Sequence, residues 1–384
     1  VQISAFVSEA ASLYAISELL PSHVTDEFVQ EWVALESRAL EPNVYLSPHF
    51  SLPAIKHLAP ELKPSIIAIY SRQLDRSRLV GLAIVVLCPP RRDFPFKHLM
   101  CFESIHSFLS GILLDRDVAV PAANKFFEYL LKPGAPWHGL RINNWRGSGV
   151  QGDVMHAAAK SHGVKWCQAQ SFNRAVLEPA SVNETAYQTS YTAAGGKDMD
   201  RRVRRLRELG EVSTRVLRGS QVTDDTVACF LALEDREWAR QTKTSLIAAG
   251  HETFFKDLCR PMIDESRVFV SEILINGRPV ASTFNFIAGN YGFAFKIGWD
   301  QSLAKMSPGI INELWFMRDA STSCNELRQI DSGASAGSFI EKIWPGRTTI
   351  SSGIFITSSR ANWVTRGLEV ARKARSKIQR LRGK

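Results

Sequence analysis

The chain alternates between segments whose apolar residues recur every three or four positions and short apolar runs rich in β-branched residues. Asp26 to Leu40 sets Phe28, Trp32 and Leu35 at helical spacing, with Thr25 or Asp26 as a cap. Strands are predicted at Ser65–Ser71, Leu79–Cys88 and Gly111–Asp115, then a helix over Ala122–Leu131 and a strand over Leu140–Asn143. A helix over Val154–His162 and two short strands, Lys165–Ala169 and Ala175–Glu178, close the first half. Ser181 to Asp198 is polar and rich in Ser, Thr and Gly, and reads as a connection.

The second half opens on a basic helix, Arg201–Arg207, followed by helices over Asp224–Arg240 and Glu252–Cys259. Val268–Ile275, Val280–Ile287 and Tyr291–Ile297 form a strand meander, with Asn276-Gly277 as a hairpin turn. A helix opening at Ser307, a strand over Leu327–Asp331, a short helix over Phe339–Ile343 and a strand over Thr348–Ile356 follow. Both halves thus run helices, antiparallel strands, helix, strand, helix, strand, and the expected class is α/β with mixed sheets. The expected division is a lobe over 1–180, a connection over 181–198, a lobe over 199–359 and a tail over 360–384.

Charge changes this picture only at the end of the chain. Of the net +9, the segment 360–384 carries nine Lys or Arg and one acid, or +8. The other 359 residues hold 38 basic and 37 acidic side chains, which excludes a nucleic-acid footprint spread over the whole surface. Val364, Leu368, Ala371, Ala374, Ile378 and Leu381 give the tail a helical apolar stripe beside its basic residues. Such a helix suits an anionic membrane surface or an acidic partner, and packing on the second lobe is the alternative. The longest plain apolar run, Leu79–Cys88, has ten residues, against the ~20 that span a bilayer. The six scattered cysteines form no C-x-x-C pair, and the early residues lack a basic stretch. A cytoplasmic protein without a signal peptide, disulfide framework or metal cluster is expected.

The chemistry concentrates between Arg267 and Trp344. Ser307-Pro308-Gly309 follows a strand and opens a helix, with Ser307 as N-cap, Pro308 at the first helical position and Gly309 giving a ligand room near the backbone. A helix start of this kind offers N–H groups and a positive dipole end to a pyrophosphate, which points to coenzyme A. A plain helix cap is the alternative reading. Asp331 at a strand end can take a proton from an attacking ammonium, and Lys342 can offset charge on a thioester oxygen. A structural salt bridge is the alternative for either. Lys296 and Asp300 flank one strand end and are second candidates. Arg146-Gly147-Ser148-Gly149-Val150-Gln151-Gly152 contains G-x-G-x-x-G, but no acidic residue ends the next strand, so it reads as a glycine-rich turn. No G-x-S-x-G, H-E-x-x-H or His/Cys ligand spacing occurs, which fits direct attack of an amine on a thioester and no metal.

The order Asn276-Gly277-Arg278-Pro279-Val280-Ala281, aromatic strand, Trp299-Asp300, Ser307-Pro308-Gly309, Ile330-Asp331-Ser332-Gly333 and Lys342-Ile343-Trp344 resembles the CelD-like double-GNAT acyltransferases of cellulose and exopolysaccharide synthesis, distant relatives of Fem-type peptidyltransferases. The resemblance is clearest over 199–350 and thinner over 25–178, where Tyr45-Leu46-Ser47-Pro48 and Leu79–Cys88 fit. The Gln/Arg-x-x-Gly-x-Gly/Ala loop common in GNAT proteins is missing. The resemblance implies two GNAT lobes, each a mixed, largely antiparallel sheet flanked by helices. It implies transfer of an acyl group from acyl-coenzyme A, with acetyl-coenzyme A first, to an amine on a sugar, polysaccharide precursor or similar metabolite. The cofactor would lie on Ser307, Pro308 and Gly309, with Asp331, Lys342 and Asp300 catalytic. Lys296, Trp299, Glu234, Trp238 and Trp344 would line the acceptor site. The rival readings are a Fem-type transferase using aminoacyl-tRNA, guided by Arg201–Arg207, and a non-catalytic accessory protein of a polysaccharide synthase.

Overall fold

The computed structural model describes residues 13–72, 77–236 and 240–365. The first half contains β1 (Tyr14–Leu19), α1 (Asp26–Ser37), α2 (Pro48–Leu58), β2 (Ser65–Ser71), β3 (Arg78–Cys88), β4 (His98–Cys101) and β5 (Leu113–Leu114). It continues with α3 (Ala119–Leu130), β6 (Gly139–Trp145), α4 (Val150–Ser161) and β7 (Lys165–Leu177). The second half runs α5 (Glu184–Ala193), α6 (Lys197–Arg207), β8 (Val212–Arg218), α7 (Asp224–Glu234), α8 (Glu252–Asp264), β9 (Val268–Ile275), β10 (Arg278–Ala288) and β11 (Tyr291–Trp299). It ends with α9 (Pro308–Ser323), β12 (Gln329–Asp331) and β13 (Gly346–Ile356).

Local chemistry explains many of the boundaries. The Thr25 hydroxyl accepts from the Phe28 N–H at 3.3 Å and starts α1, and Asn183 does the same for α5 through Ala186 at 2.9 Å. Asn276 and Gly277 take φ of 51° and 77°, the left-handed pair that a two-residue hairpin between β9 and β10 requires.

All the strands join one mixed sheet, in the order β1-β2-β3-β4-β6-β13-β7-β12-β11-β10-β9-β8, with β5 beside β3. The last strand, β13, lies between β6 and β7 and is antiparallel to both. The C-terminal end of the second half therefore completes the sheet of the first, and β7 passes the sheet on to β12. One face carries a core common to both halves: Trp32 and Phe50 from α1 and α2 join Phe230, Phe254 and Phe255 from α7 and α8. Phe50 meets Phe254 edge-on at 5.5 Å. The other face is covered by α3 and α4 over the first half and by α6 and α9 over the second.

Several expectations change. Lys165–Ala169 and Ala175–Glu178 are one strand, because β13 pairs with the polar, exposed stretch between them as well as with the ends. Residues read as a connection contain α5. The basic helix is one-sided: Arg201, Arg204, Arg205 and Arg207 are exposed, while Met199, Val203 and Leu206 pack inward. β1, β4, β8 and α2 add to the elements expected. The tail stripe beyond 365 lies outside the described residues.

Gly353 sits where β13 crosses β7, and a Cβ there would lie 2.5 Å from the Cys167 carbonyl oxygen and 2.6 Å from the Trp166 ring. Gly353→Val is expected to lower unfolding stability by more than about 2 kcal/mol in a urea titration, since the β7 backbone and the Trp166 ring must both move.

Candidate active site

Strands β11 and β12 run parallel but pair over three residues only, Tyr291–Phe293 against Gln329–Asp331. Beyond that point β11 continues to Trp299, while the other chain turns away at Ser332 and opens the sheet. Asp331 stands at the parting. It is 1 % exposed, and its Oδ2 accepts from Arg146 Nη2 at 2.9 Å. Its Oδ1 accepts from the Gly333 N–H at 2.8 Å and faces Arg174 Nη1 at 3.5 Å. Arg174 also donates through Nε to the Ala334 carbonyl at 2.9 Å and through Nη1 to the Phe108 carbonyl at 2.8 Å. Gly333 takes φ +65°, and a Cβ there would meet Phe108 at 2.7 Å and the Ala294 oxygen at 2.9 Å, so this bend requires glycine.

The parting opens a cleft of about 100 Å³. Phe295, Ile297, Phe339, Ile340 and Trp344 make its apolar lining, with Thr283, Lys296, Glu313 and Ser332 as polar members. Glu313, on α9, is 4 % exposed, and the Thr283 hydroxyl on β10 donates to its Oε1 at 2.6 Å. Burial pushes the Glu313 carboxyl up to about 7, against the Thr283 hydrogen bond, which holds it down. The Lys296 ammonium turns away to Glu234 at 2.9 Å and to the Thr244 carbonyl at 3.0 Å. The Trp344 indole N–H is buried in the cleft wall without a hydrogen-bond partner.

The opening of α9 follows the end of β11. Ser307 adopts a left-handed conformation (φ 49°, ψ 54°), and its side chain does not cap the helix. Its hydroxyl instead accepts from Arg202 on α6, which also pairs with Asp198 at 2.7 Å. Pro308 and Gly309 are buried, and a Gly309 Cβ would lie 3.2 Å from Ile297. The glycine thus lets the helix pack closely on β11.

The remaining predicted site residues separate. Asp331 is held in the buried salt bridge weighed against a catalytic role, with both oxygens engaged. Lys342 points outward and is exposed, whereas Trp344 from the same motif enters the cleft. Asp300 closes the turn after β11, accepting from the Ser302 N–H at 2.9 Å and its hydroxyl at 2.7 Å. Trp299 lies under the Arg236 guanidinium. Glu234 is buried, accepts from the Leu246 N–H at 2.7 Å and holds Lys296, so it positions a neighbour instead of meeting an acceptor. Trp238 lies outside the described residues. Glu313, Thr283 and Arg174 escaped the sequence reading, in which Arg146 figures only in the glycine-rich turn and Arg202 only in the basic helix. A lone carboxylate inside Ile310-Ile311-Asn312-Glu313-Leu314-Trp315-Phe316 was the one visible signal. The glycine-rich turn 146–149 opens α4, and Glu41 rather than a ligand lies against Gly149, 2.9 Å from where a Cβ would sit.

Residues 195–339 match the family model described as acetyltransferase (GNAT) domain, a span from α6 through the cleft. A protein of unknown function from Bacteroides thetaiotaomicron VPI-5482 is similar in structure, with TM-score 0.53 and 11 % identity over 87 % of this chain and 98 % of that one. FemX is similar with TM-score 0.51 and 10 % identity over 91 % and 100 % of the two chains. A tandem GNAT protein from the clavulanic acid biosynthesis pathway reaches TM-score 0.40 and 11 % identity over 89 % and 97 %. No curated protein matches the sequence. The match of residues 195–339 to a GNAT acetyltransferase domain supports an N-acyltransferase, and such domains use acyl-coenzyme A as co-substrate.

Two stability measurements separate the carboxylates. Asp331→Asn leaves two buried guanidinium groups short of their counter-charge and is expected to cost about 3–5 kcal/mol in urea unfolding at pH 7. Glu313 behaves oppositely. Its folded carboxyl binds its proton up to about pH 7, above the ordinary value of 4.5, so its ionisation destabilises the fold as pH rises through that window. Glu313→Gln is expected to stabilise by about 3 kcal/mol at pH 8 and to give no gain near pH 4.

Proposed function

We propose that this protein transfers an acyl group from acyl-coenzyme A, with acetyl-coenzyme A the first candidate, to an amine on a sugar, polysaccharide precursor or similar metabolite. The second lobe, residues 199–359, would hold the cofactor. The observation that carries this reading is the three-residue pairing of β11 and β12. Parting strands leave backbone groups without sheet partners beside an apolar cleft, a setting in which an extended pantetheine arm can pair like a strand and present its thioester. The start of α9 favours the pyrophosphate through its dipole, with the Ser307 hydroxyl and the Arg202 guanidinium beside it. Charge on this site comes from Arg202, one of the arginines of the basic helix.

A second reading, transfer from aminoacyl-tRNA, is favoured by the exposed row Arg201, Arg204, Arg205 and Arg207 on the same helix as Arg202. The near-neutral body of the chain weighs against a large RNA footprint. Both readings place the protein in the cytoplasm, and the basic segment 360–384 would hold it to an anionic inner membrane face.

Calorimetric titration with coenzyme A tests the first reading. Arg202→Ala is expected to weaken binding about tenfold or more, or ~1.4 kcal/mol, with the fold retained. Unchanged affinity in the folded variant would remove the pyrophosphate from the start of α9. Binding of tRNA without coenzyme A binding would select the second reading.

A further inference from the structure

Among the described residues that line the cleft, Lys296 and Glu313 carry the charges, and they are differently disposed. Lys296 is committed to Glu234 on α7. The neighbouring buried carboxylates are committed as well. Glu272 on β9 pairs with Arg215 at 2.7 Å, and Asp331 on β12 pairs with Arg146 and Arg174. Among the described residues Glu313 has no cationic partner; its hydrogen bond comes from Thr283, a neutral hydroxyl. Thr283 is itself oriented by Asn312, whose Nδ2 donates to Thr283 Oγ1 at 3.1 Å. A carboxylate on the second turn of a buried helix face, surrounded by Phe295, Ile297 and Trp344, costs stability wherever it is charged. A glutamine would keep the hydrogen bond without that cost. A site built only for packing has no use for the charge.

From this arrangement we infer that Glu313 is the catalytic proton acceptor for the incoming ammonium. The inference rests on the acyltransferase reading and goes beyond it by naming the base. One face of the cleft supplies a thioester position, where β11 and β12 part. The other supplies Glu313, fixed in its rotamer by Thr283. The unpartnered indole N–H of Trp344 in the same wall is an independent observation, a buried donor open to a polar group of a ligand.

Glu313 takes one proton from the acceptor ammonium, and the free amine nitrogen attacks the thioester carbonyl carbon. The C–N bond forms, and collapse of the tetrahedral adduct breaks the C–S bond. The second nitrogen proton goes to the departing thiolate, which leaves as coenzyme A, and Glu313 returns its proton to solvent. Burial near neutral pH suits the task, since a base of ordinary carboxylate strength would hold an ammonium proton poorly. The acceptor class follows: a primary amine that arrives protonated, small enough at its reacting end to enter an apolar cleft of about 100 Å³.

The test measures coenzyme A release from acetyl-coenzyme A with a mixture of glucosamine, lysine and putrescine, across pH 5.5–9, in the full chain. Calorimetric binding of coenzyme A runs in parallel. The wild type is expected to lose kcat/KM on the acid side with a midpoint near 7. Glu313→Gln is expected to lose about 10²–10⁴-fold in kcat and flatten that limb, with coenzyme A affinity unchanged. Thr283→Val removes the bond that holds the carboxyl down, so its acid limb is expected to move to higher pH, a shift that a merely structural role would not produce. Retained coenzyme A binding with Glu313→Gln within threefold of wild type would overturn the assignment alone. Absence of coenzyme A binding in the wild type would overturn the acyltransferase reading and the assignment with it.

Discussion

A desolvated carboxylate between two arginines decides how this sheet opens. Asp331 is the last residue of β12 to pair with β11, and Arg146 and Arg174 reach it from the far side, from the end of β6 and from β7. Three charges withdrawn from water tolerate no rearrangement that separates them. Because Asp331 also accepts from the Gly333 N–H, and Arg174 donates to the Ala334 oxygen, the same cluster bends the chain away from β11. The cleft is therefore a consequence of an ion cluster whose cations belong to the first half and whose anion belongs to the second.

That dependence gives the first half a role in the chemistry of the second. The common aromatic core and the insertion of β13 between β6 and β7 fix the two halves against each other, so Arg146 and Arg174 stand at defined distances from β12. Compared with the start of α9, that of α3 in the first half is built differently. Asp115 and Asp117 precede that helix, and Asp115 is tied to Arg38 and Arg78 at 2.8 and 3.1 Å.

Elements with a strong local period were legible in the sequence. The β9–β11 meander, the Asn276-Gly277 turn and the helix after Ser307 all follow from patterns within about ten residues. The strand β7 was not, because its polar middle is stabilised by β13, almost 180 residues later in the chain. Asp331 was legible as a candidate, but the choice between salt bridge and catalytic base was not, for a comparable reason. Its partners Arg146 and Arg174 lie more than 150 residues away in sequence, so a buried cluster resembled a free strand-end acid. Glu313 shows the converse: surrounded by apolar residues on a helix, it carried a signal of a buried charge, but its meaning depends on Thr283 from β10. Ser307 and Gly309 were singled out correctly as the start of α9, while their local roles, a left-handed residue held by Arg202 and a close packing contact, needed the fold.

The central claim is that the acyl thioester lies where β11 and β12 part. A crystal structure of the protein with coenzyme A bound tests it most directly. The expected result is a pantetheine arm between Ala294–Ile297 and Ser332–Ala334, with the sulfur directed toward Glu313 and the pyrophosphate beside Arg202 and Ser307. Coenzyme A bound elsewhere, with the parted strands unfilled, would contradict it.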